Sequence, residues 1–517
     1  MGHAPVAAPS WRLAAPYDEN AQGLIVSPFS DLNFGAALLL QLPRGLPGTP
    51  GCGGAWLSSL REVAPVTNAV KPTDGSRTYA PSVALAFTST GLRIMGLDDG
   101  CLATFSAPFV EGMRQIDRQR RLGESCNRGA IPGGPIWSGT DSSTVAPTAE
   151  PTPIGVHAAL LLYHSDQQSL TDLEKKAGAC LSQFNVKVVH RIEMSLLRDK
   201  NEVVREHFGF VDGISQPIPY GKAIISHGVG TKPKDPDAVH LVAAGDILIG
   251  LRNADLERAP GPVVSERYSG AQGLEQGNAP HGYRDLGRDG SYLVIRELRQ
   301  DVGGFWESMK AAAKSLGAPD SDEWMAQLAQ TIALAARVVG RTVDGDPLKK
   351  GGIIQKKDGA PANTFGYFQK DRAGLGCPLG SHIRRANPRD GLAPAAGEKG
   401  VFLHVSNNHR ILRRGRKFGP PYQEGEAPTT ERGLLFMAVC TDIARQFEFI
   451  QQNWIMNENF AVLYDETDPL VGSAGKFTIP LTPLRARVDV KTFVKLAGGE
   501  YFFLPSLPAL RFLETLP

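Results

Sequence analysis

Runs of apolar residues along the chain predict a protein that combines strands with helices. Continuous apolar segments such as 157–163 (HAALLLY) and 433–439 (GLLFMAV) are typical of strands that are buried on both faces. The segment 169–183 instead repeats its apolar residues at helical spacing, which predicts an amphipathic helix. Further predicted strands cover residues 22–28, 82–88, 186–196, 244–251, 291–298 and 401–405. Further predicted helices cover residues 31–42, 56–63, 302–316, 323–339 and 441–454.

The order of these elements indicates two α+β units. A strand, a helix and a second strand follow one another between residues 157 and 196, an order that suits an antiparallel sheet covered by helices. A loop rich in Gly, Pro and Lys then occupies residues 220–239. We therefore predict an N-terminal domain at 1–220 and a C-terminal domain at 240–517.

Composition narrows the classes of protein that the chain can belong to. Its 517 residues are 42% hydrophobic and 21% charged, which is typical of globular proteins. The net charge of +2 gives no generally basic surface, so we expect no nucleic-acid partner. The six cysteines are widely spaced, which favours a reducing compartment. Neither a secretion signal nor an 18-residue apolar run is recognisable, so we predict a cytoplasmic protein without a membrane partner.

One short stretch, residues 206–217 (EHFGFVDGISQP), holds a carboxylate in an unusual setting. Asp212 follows Gly209 and precedes Gly213, and apolar residues flank it on both sides. Glycine allows a positive φ or a close approach to a ligand, and an acid among apolar side chains is partly desolvated. Such an acid suits tuned acid–base chemistry. Taken alone, the Asp-Gly pair is more typical of an ordinary solvated turn, because such turns are frequent.

Two further stretches carry clustered basic residues. In residues 377–389 (CPLGSHIRRANPR), His382 precedes three arginines. Histidine is a ligand of haem iron, and arginine forms bidentate pairs with carboxylates such as the haem propionates. A lone histidine in a basic surface loop is the alternative. Residues 409–419 (HRILRRGRKFG) form a basic run that could bind nucleic acid, although no aromatic platform accompanies it.

Together these stretches resemble the dye-decolorizing peroxidases, a family of haem enzymes, and in particular its longer, C-type members. Residues 209–217 match the Gly-Phe-x-Asp-Gly-x-Ser-Gln-Pro signature, and residues 382–389 are similar to the segment that carries the proximal ligand. Residues 411–419 are similar to the segment that carries the distal arginine. The resemblance implies two ferredoxin-like halves, with antiparallel sheets flanked by helices, and one haem b per chain, bound mainly in the C-terminal half.

The resemblance also implies roles for individual residues. It makes His382 the iron ligand and assigns Asp212 and Arg413 to the distal catalytic pair, although Arg414 is an alternative to Arg413. The remaining implied cofactor contacts are Arg389, Gly213, Ile214, Ser215, Gln216, Leu434 and Phe436. A ligating histidine usually donates its second ring N–H to a carboxylate or a carbonyl, and we expect Asp442 to accept that bond. Alternatively, Asp442 only caps its own helix.

The implied function is peroxidase chemistry. Such an enzyme reduces hydrogen peroxide and oxidises bulky aromatic compounds, such as dyes and phenols, through a ferryl intermediate. Trp454 is a candidate for relaying electrons to dyes at the surface, with core packing as its alternative role. A haem-binding protein for storage or sensing, without peroxidase turnover, is the second functional hypothesis. Nucleic-acid binding through the basic run is the third.

Overall fold

The computed structural model describes residues 11–44, 52–71, 81–124, 137–138, 154–226, 239–317, 324–355, 362–426, 430–481 and 485–517. Residues 227–238, in the predicted interdomain loop, lie outside this part. The predicted domain boundary between residues 220 and 240 therefore stays a prediction.

Within the described residues, eight main antiparallel strands close into a barrel, and the two-residue strand Leu412–Arg413 pairs at its edge with Ala438 and Val439. The first half of the chain contributes β1 (Phe34–Gln41), β2 (Ser82–Phe87), β3 (Ala158–His164) and β4 (Lys187–Ser195). The second half contributes β5 (Ser291–Gln300), β6 (Arg416–Phe418), β7 (Gly433–Cys440) and β8 (Val494–Leu504). The strand order is β4-β1-β3-β2 in the first half and β8-β5-β7-β6 in the second. Both halves thus have the ferredoxin-like 4-1-3-2 order, as the family resemblance implies.

Two narrow seams join the halves. Strand β4 pairs with β6 through Ser195 and Lys417, and β2 pairs with β8 through Phe87 and Phe503. Two helices of the first half are α1 (Ala55–Val63) and α2 (Gln167–Gln183). Two helices of the second half are α3 (Val302–Ser315) and α4 (Trp324–Val339). These helices are flanking layers of an α+β fold.

Strands β1, β2 and β3 are apolar on both faces because both faces are buried. Alternate residues from all eight strands, including Ala37, Leu161 and Ile295, form one cluster that fills the barrel interior. The residues between them, such as Leu38 and Leu160, pack under the helices in a second cluster. The uninterrupted apolar runs of the sequence therefore correspond to barrel strands, as at β3 and β7.

Several predicted elements are wrong. The segment predicted as a helix at 31–42 contains strand β1, whose residues 36–40 are all buried. Its alanines and leucines are good helix formers, but burial between β3 and β4 overrides that preference. The predicted strand at 401–405 is part of the helix Lys399–Asn408. The predicted strands at 22–28 and 244–251 contain short 3₁₀ turns instead.

Shorter elements complete the described fold. The minor strands are Trp11–Leu13, Trp137–Ser138, Ile154–Gly155, Ile218–Tyr220, Ile224–Ser226, Leu241–Ala243, Val263–Ser265, Tyr283–Asp285, Leu348–Lys349, Gly352–Ile353, Leu412–Arg413, Gly475–Pro480 and Arg485–Val490. The minor helices are Tyr17–Asn20, Ser89–Ile94, Asp99–Leu102, Ala107–Glu111, Ile116–Arg121, Tyr367–Asp371, His382–Ala386, Lys399–Asn408, Ala444–Glu448, Ile450–Ile455 and Leu507–Leu513. The 3₁₀ turns are Gly23–Ile25, Ala244–Asp246, Ser269–Gly273 and Ala396–Glu398. Among the described helices, none has the length and apolar character needed to cross a membrane.

We expect truncation inside the barrel to be costly. Leu161 is fully buried between Ala37 and Ala84, so Leu161→Ala should lower the free energy of unfolding by about 2–5 kcal/mol through a cavity that cannot collapse. Leu328→Ala is the matched control, because Leu328 on α4 is 42% exposed, and should cost less than about 1 kcal/mol. Urea denaturation of both variants measures the difference. Equal costs would contradict the assignment of Leu161 to a packed interior.

Candidate active site

A cavity of about 300 Å³ lies against the outer face of the second half of the barrel. This volume is at the lower end of the range of about 300–1,000 Å³ that is typical of ligand sites. Residues 206–215 form one side of the cavity, and outward side chains of β5, β7 and β8 form another. The segments around His382, Arg413 and Ile450 complete its wall. Three distant stretches that the sequence singled out therefore meet in one place.

Glu206 holds the loop that presents Asp212. Its backbone N–H donates to the Phe210 carbonyl at 3.0 Å, and its carboxylate accepts the amides of Phe208 and Phe210 at 2.8 and 2.9 Å. Gly213, with φ at +80°, turns the chain directly after Asp212 in a conformation that favours glycine. Burial raises the pKa of Glu206 to about 7, against the effect of the two amides. Sequence reasoning missed this residue, which belongs to the cavity wall.

Asp212 projects into the cavity as an ionised carboxylate. Its Oδ2 lies 3.1 Å from the Lys417 Nζ, and its Oδ1 accepts the Gly213 amide at 2.6 Å. Burial alone would raise its pKa, but the positive charges of Lys417 and Arg413 outweigh burial and lower the pKa to about 2. The Asp212 carboxylate is therefore charged at neutral and at mildly acidic pH.

Arg413 and Arg414 point in opposite directions, as neighbouring residues at a strand do. Arg413 lies in the cavity wall and donates from Nη2 to the Ser215 carbonyl at 3.1 Å. Arg414 is buried away from the cavity and donates to the carbonyls of Leu24 and Ile25 at 2.7 and 2.6 Å. Of these two arginines, Arg413 is thus the one that lies in the cavity wall.

His382 is braced by a carboxylate that the sequence did not identify. It opens the helix His382–Ala386, and its Nδ1 lies 2.9 Å from Oδ2 of the fully buried Asp468. The other oxygen of Asp468 accepts the amides of Leu470 and Val471 at 2.9 and 3.0 Å. With Nδ1–H donating to Asp468, Nε2 of His382 keeps a lone pair for a metal.

The expectation that Asp442 accepts the bond from His382 is wrong. Asp442 lies outside the cavity wall, where its Oδ1 accepts the Arg445 amide at 2.9 Å. This is the helix-cap role that the sequence left as the alternative. The signal for Asp468 is weak, because an Asp-Pro pair marks only a turn and Asp468 is 86 positions from His382.

The other predicted cofactor contacts divide into two groups. The cavity wall contains Gly213, Ile214, Ser215, Leu434 and Phe436. Gln216 and Arg389 are not in the wall. The Gln216 side chain instead bonds the amide and the carbonyl of Arg413, at 3.1 and 3.3 Å. The Arg389 guanidinium donates to the carbonyls of Asn363 and Phe365, at 2.6 and 2.7 Å.

Arg341 and Arg410 are wall cations that sequence reasoning missed. Arg341 is bonded to the carbonyls of Gly345 and Ala362, at 2.7 and 3.0 Å. Within the described part of the chain, the buried guanidinium of Arg410 makes one long hydrogen bond, 3.4 Å to the Val239 carbonyl. Burial, together with repulsion from Arg389 and Arg413, lowers the pKa of Arg410 to about 9. This excess of buried positive charge suits an anionic ligand such as a carboxylate.

Two further expectations from the sequence concern residues near the cavity. Trp454 is only 5% exposed and packs against His409 and Phe449, so its core role is the one that the structure shows. The basic run 409–417 does not form a surface patch, because Arg410, Arg414, Arg416 and Lys417 are all buried. These four positive charges therefore lie within the fold and not on an exposed basic surface.

The chain is similar to characterised peroxidases over most of its length. It is 30% identical to the multifunctional dye peroxidase of Amycolatopsis sp. over 69% of this chain and 71% of that protein. It is 27% identical to the dye-decolorizing peroxidase msp1 of Mycetinis scorodonius, over 83% of this chain and 76% of that protein. The sequence matches no protein-family model.

Solved structures show the same fold. A DyP-type peroxidase from Anabaena sp. superposes with a TM-score of 0.70 at 22% identity, covering 97% of this chain and 95% of the other. A fungal DyP-type peroxidase from Auricularia auricula-judae gives a TM-score of 0.69 at 23% identity, covering 97% and 99%.

The opposite orientations of the two arginines predict opposite effects on stability. Arg414→Leu should cost about 2–4 kcal/mol of unfolding free energy, because it leaves two buried carbonyls without their donor. Arg413→Leu removes one side-chain hydrogen bond at the cavity wall and should cost about 1 kcal/mol. Urea denaturation measures both. A larger loss for Arg413→Leu would reverse the assignment.

Proposed function

Because the chain belongs to the dye-decolorizing peroxidases, a family of haem enzymes, we propose that its cavity binds one haem b, with which the protein reduces hydrogen peroxide and oxidises bulky aromatic compounds. One observation carries the proposal. A histidine braced by a buried carboxylate shares a single cavity with an ionised aspartate and an arginine. The predicted cytoplasmic location and C-type membership stay predictions.

The residues of the cavity fit a haem. His382 would hold the iron through Nε2, since Asp468 engages its Nδ1. Arg410 and Arg341 would face the propionates, because Arg410 is a buried cation with one weak partner among the described residues. The apolar side chains of Ile214, Leu434 and Phe436 would pack on the porphyrin.

The distal chemistry follows from the positions of Asp212 and Arg413. When bound, haem would supply the redox-active iron for the reaction with peroxide. Asp212 accepts a proton from peroxide and returns it to the departing oxygen as water forms. The guanidinium of Arg413 stabilises the negative charge that develops during this cleavage. Gln216, bonded to the Arg413 backbone, and the Ser215 carbonyl keep Arg413 at the cavity.

Haem storage or sensing, the alternative function, gives a role to fewer of the cavity residues than peroxidase chemistry does. An iron ligand and an apolar pocket suffice to hold haem. Storage gives no role to an ionised carboxylate kept beside a guanidinium in the same cavity. Peroxidase chemistry uses both groups, as base and as electrostatic stabiliser.

We expect His382→Ala to fold but to retain little haem, because the cavity then lacks the imidazole that ligates iron. The haem-to-protein ratio and the Soret band of the purified variant measure this loss. His404→Ala is the matched control, since His404 is a half-exposed surface residue paired with Asp255. Unchanged haem content in His382→Ala would refute the assignment of the ligand.

Asp212→Asn and Arg413→Leu should each slow the reaction with peroxide by about 100- to 10,000-fold, as loss of a general base or of a charge stabiliser does. Stopped-flow absorbance of the haem measures the rate constant. Asp442→Asn is the control, because the Asp442 carboxylate lies outside the cavity, and this variant should keep the wild-type rate constant.

Wild-type protein should oxidise an anthraquinone dye only with peroxide present. A haem-loaded wild type without such turnover would favour storage or sensing.

A further inference from the structure

Lys417 is a buried lysine that no part of the proposed chemistry has yet used. It is the middle residue of β6, at the seam with β4, and its side chain is 2% exposed. An ammonium group taken out of water costs several kcal/mol unless it is paired. Among the described residues, Asp212 is the carboxylate within salt-bridge distance, 3.1 Å away. The fold thus pairs this buried charge with the proposed catalytic base.

The other charged groups around Asp212 do not replace Lys417. Arg413 lowers the pKa of Asp212 through space, but its guanidinium donates to the Ser215 carbonyl. Glu206, on the same loop as Asp212, is an acid with a pKa of about 7, so it is neutral in the acid range and supplies no charge beside Asp212 there. Lys417 is the cation that contacts Asp212, at Oδ2, while Oδ1 accepts the Gly213 amide, so the two oxygens are held by different groups.

We propose that Lys417 is a positioning residue that keeps the Asp212 carboxylate ionised and oriented, and thereby sets the lowest pH at which the protein reacts rapidly with peroxide. This inference rests on the proposed function, in which Asp212 is the base. Lys417 itself is absent from the cavity wall, so it acts through Asp212 and does not contact peroxide.

The sign of the effect follows from the charges. In the wild type the pKa of Asp212 is about 2, so the base stays ionised, though weakly basic, through the acid range. Without Lys417, burial raises that pKa, and only Arg413 and the Gly213 amide oppose it. The carboxylate then becomes protonated as the pH falls, and the acid reaction is lost. At neutral pH the same carboxylate is a stronger base, so the reaction there is not slowed.

The test compares variants of haem-loaded protein over a pH range. In Lys417→Met, the pH below which the rate constant for the reaction with peroxide falls should be about 1–3 pH units higher than in the wild type, which is the usual effect of removing an adjacent opposite charge. Lys417→Arg, which retains the charge, should restore most of the wild-type profile. Arg416→Met is the matched control: it removes a buried cation from the same strand, but one bonded to the carbonyls of Pro28, Phe29 and Leu32. It should lose thermal stability and keep the wild-type pH profile.

A second readout is independent of turnover. Infrared difference spectra should show a carboxylic-acid C=O band that grows in at higher pH in Lys417→Met than in wild type and is absent from Lys417→Met/Asp212→Asn. A wild-type pH profile and an unmoved band in Lys417→Met would overturn the inference. Equal shifts in Lys417→Met and Arg416→Met would also overturn it, because the effect would then be structural. If Asp212→Asn alone reacts at the wild-type rate, the proposed role of Asp212 fails instead.

Discussion

Closure of eight strands into one barrel is the constraint on which the site depends. Each half supplies four strands in the same order, and the halves meet at β4–β6 and β2–β8, each seam resting on one residue pair. Lys417 belongs to the first of these pairs and also contacts Asp212, which follows β4 in the chain. The seam therefore fixes a cation of the second half beside a carboxylate of the first. Lys417 therefore has two roles: its backbone pairs with Ser195 at the seam between the halves, and its side chain pairs with the proposed catalytic base.

Buried arginines in this protein are solvated mostly by backbone carbonyls. Arg385 donates to the carbonyls of Trp454, Asn457 and Glu466, while Arg414 and Arg416 donate to carbonyls near the start of the chain. A carbonyl satisfies the N–H groups of arginine without neutralising its charge. Arginines held in this way raise the positive potential inside the fold. In the cavity wall, Arg410 is an example, because burial and repulsion from Arg389 and Arg413 lower its pKa. An anionic cofactor group would lower the electrostatic cost of that arrangement.

The sequence predicts the local chemistry of this protein better than its long-range contacts. The elements β3, β7 and α2 follow from apolar patterns, and 206–217, His382 and Arg413 follow from short motifs whose residues meet in one cavity. Strand β1 was missed because Ala and Leu favour helices when no partner strand is known. The sequence does not identify Asp468 and Lys417, because each contacts a residue far away in the chain. It does not identify Arg410 either, because only the tertiary fold buries this residue at the cavity. Asp442 is an acid of the right type to accept a bond from His382, but the fold places it elsewhere, so that prediction was wrong.

The loop at 206–213 holds two carboxylates whose environments push their pKa values apart. Burial raises the pKa of Glu206 to about 7, whereas the neighbouring positive charges lower the pKa of Asp212 to about 2. Divergent pKa values often distinguish the roles of paired acids. Both oxygens of Glu206 are engaged, by the amides of Phe208 and Phe210 and by Gln300, so proton transfer at Glu206 would disturb the loop itself. Asp212 accepts one backbone amide and is held by a side chain from another strand. It can therefore exchange a proton with a ligand in the cavity while Glu206 keeps the loop in place.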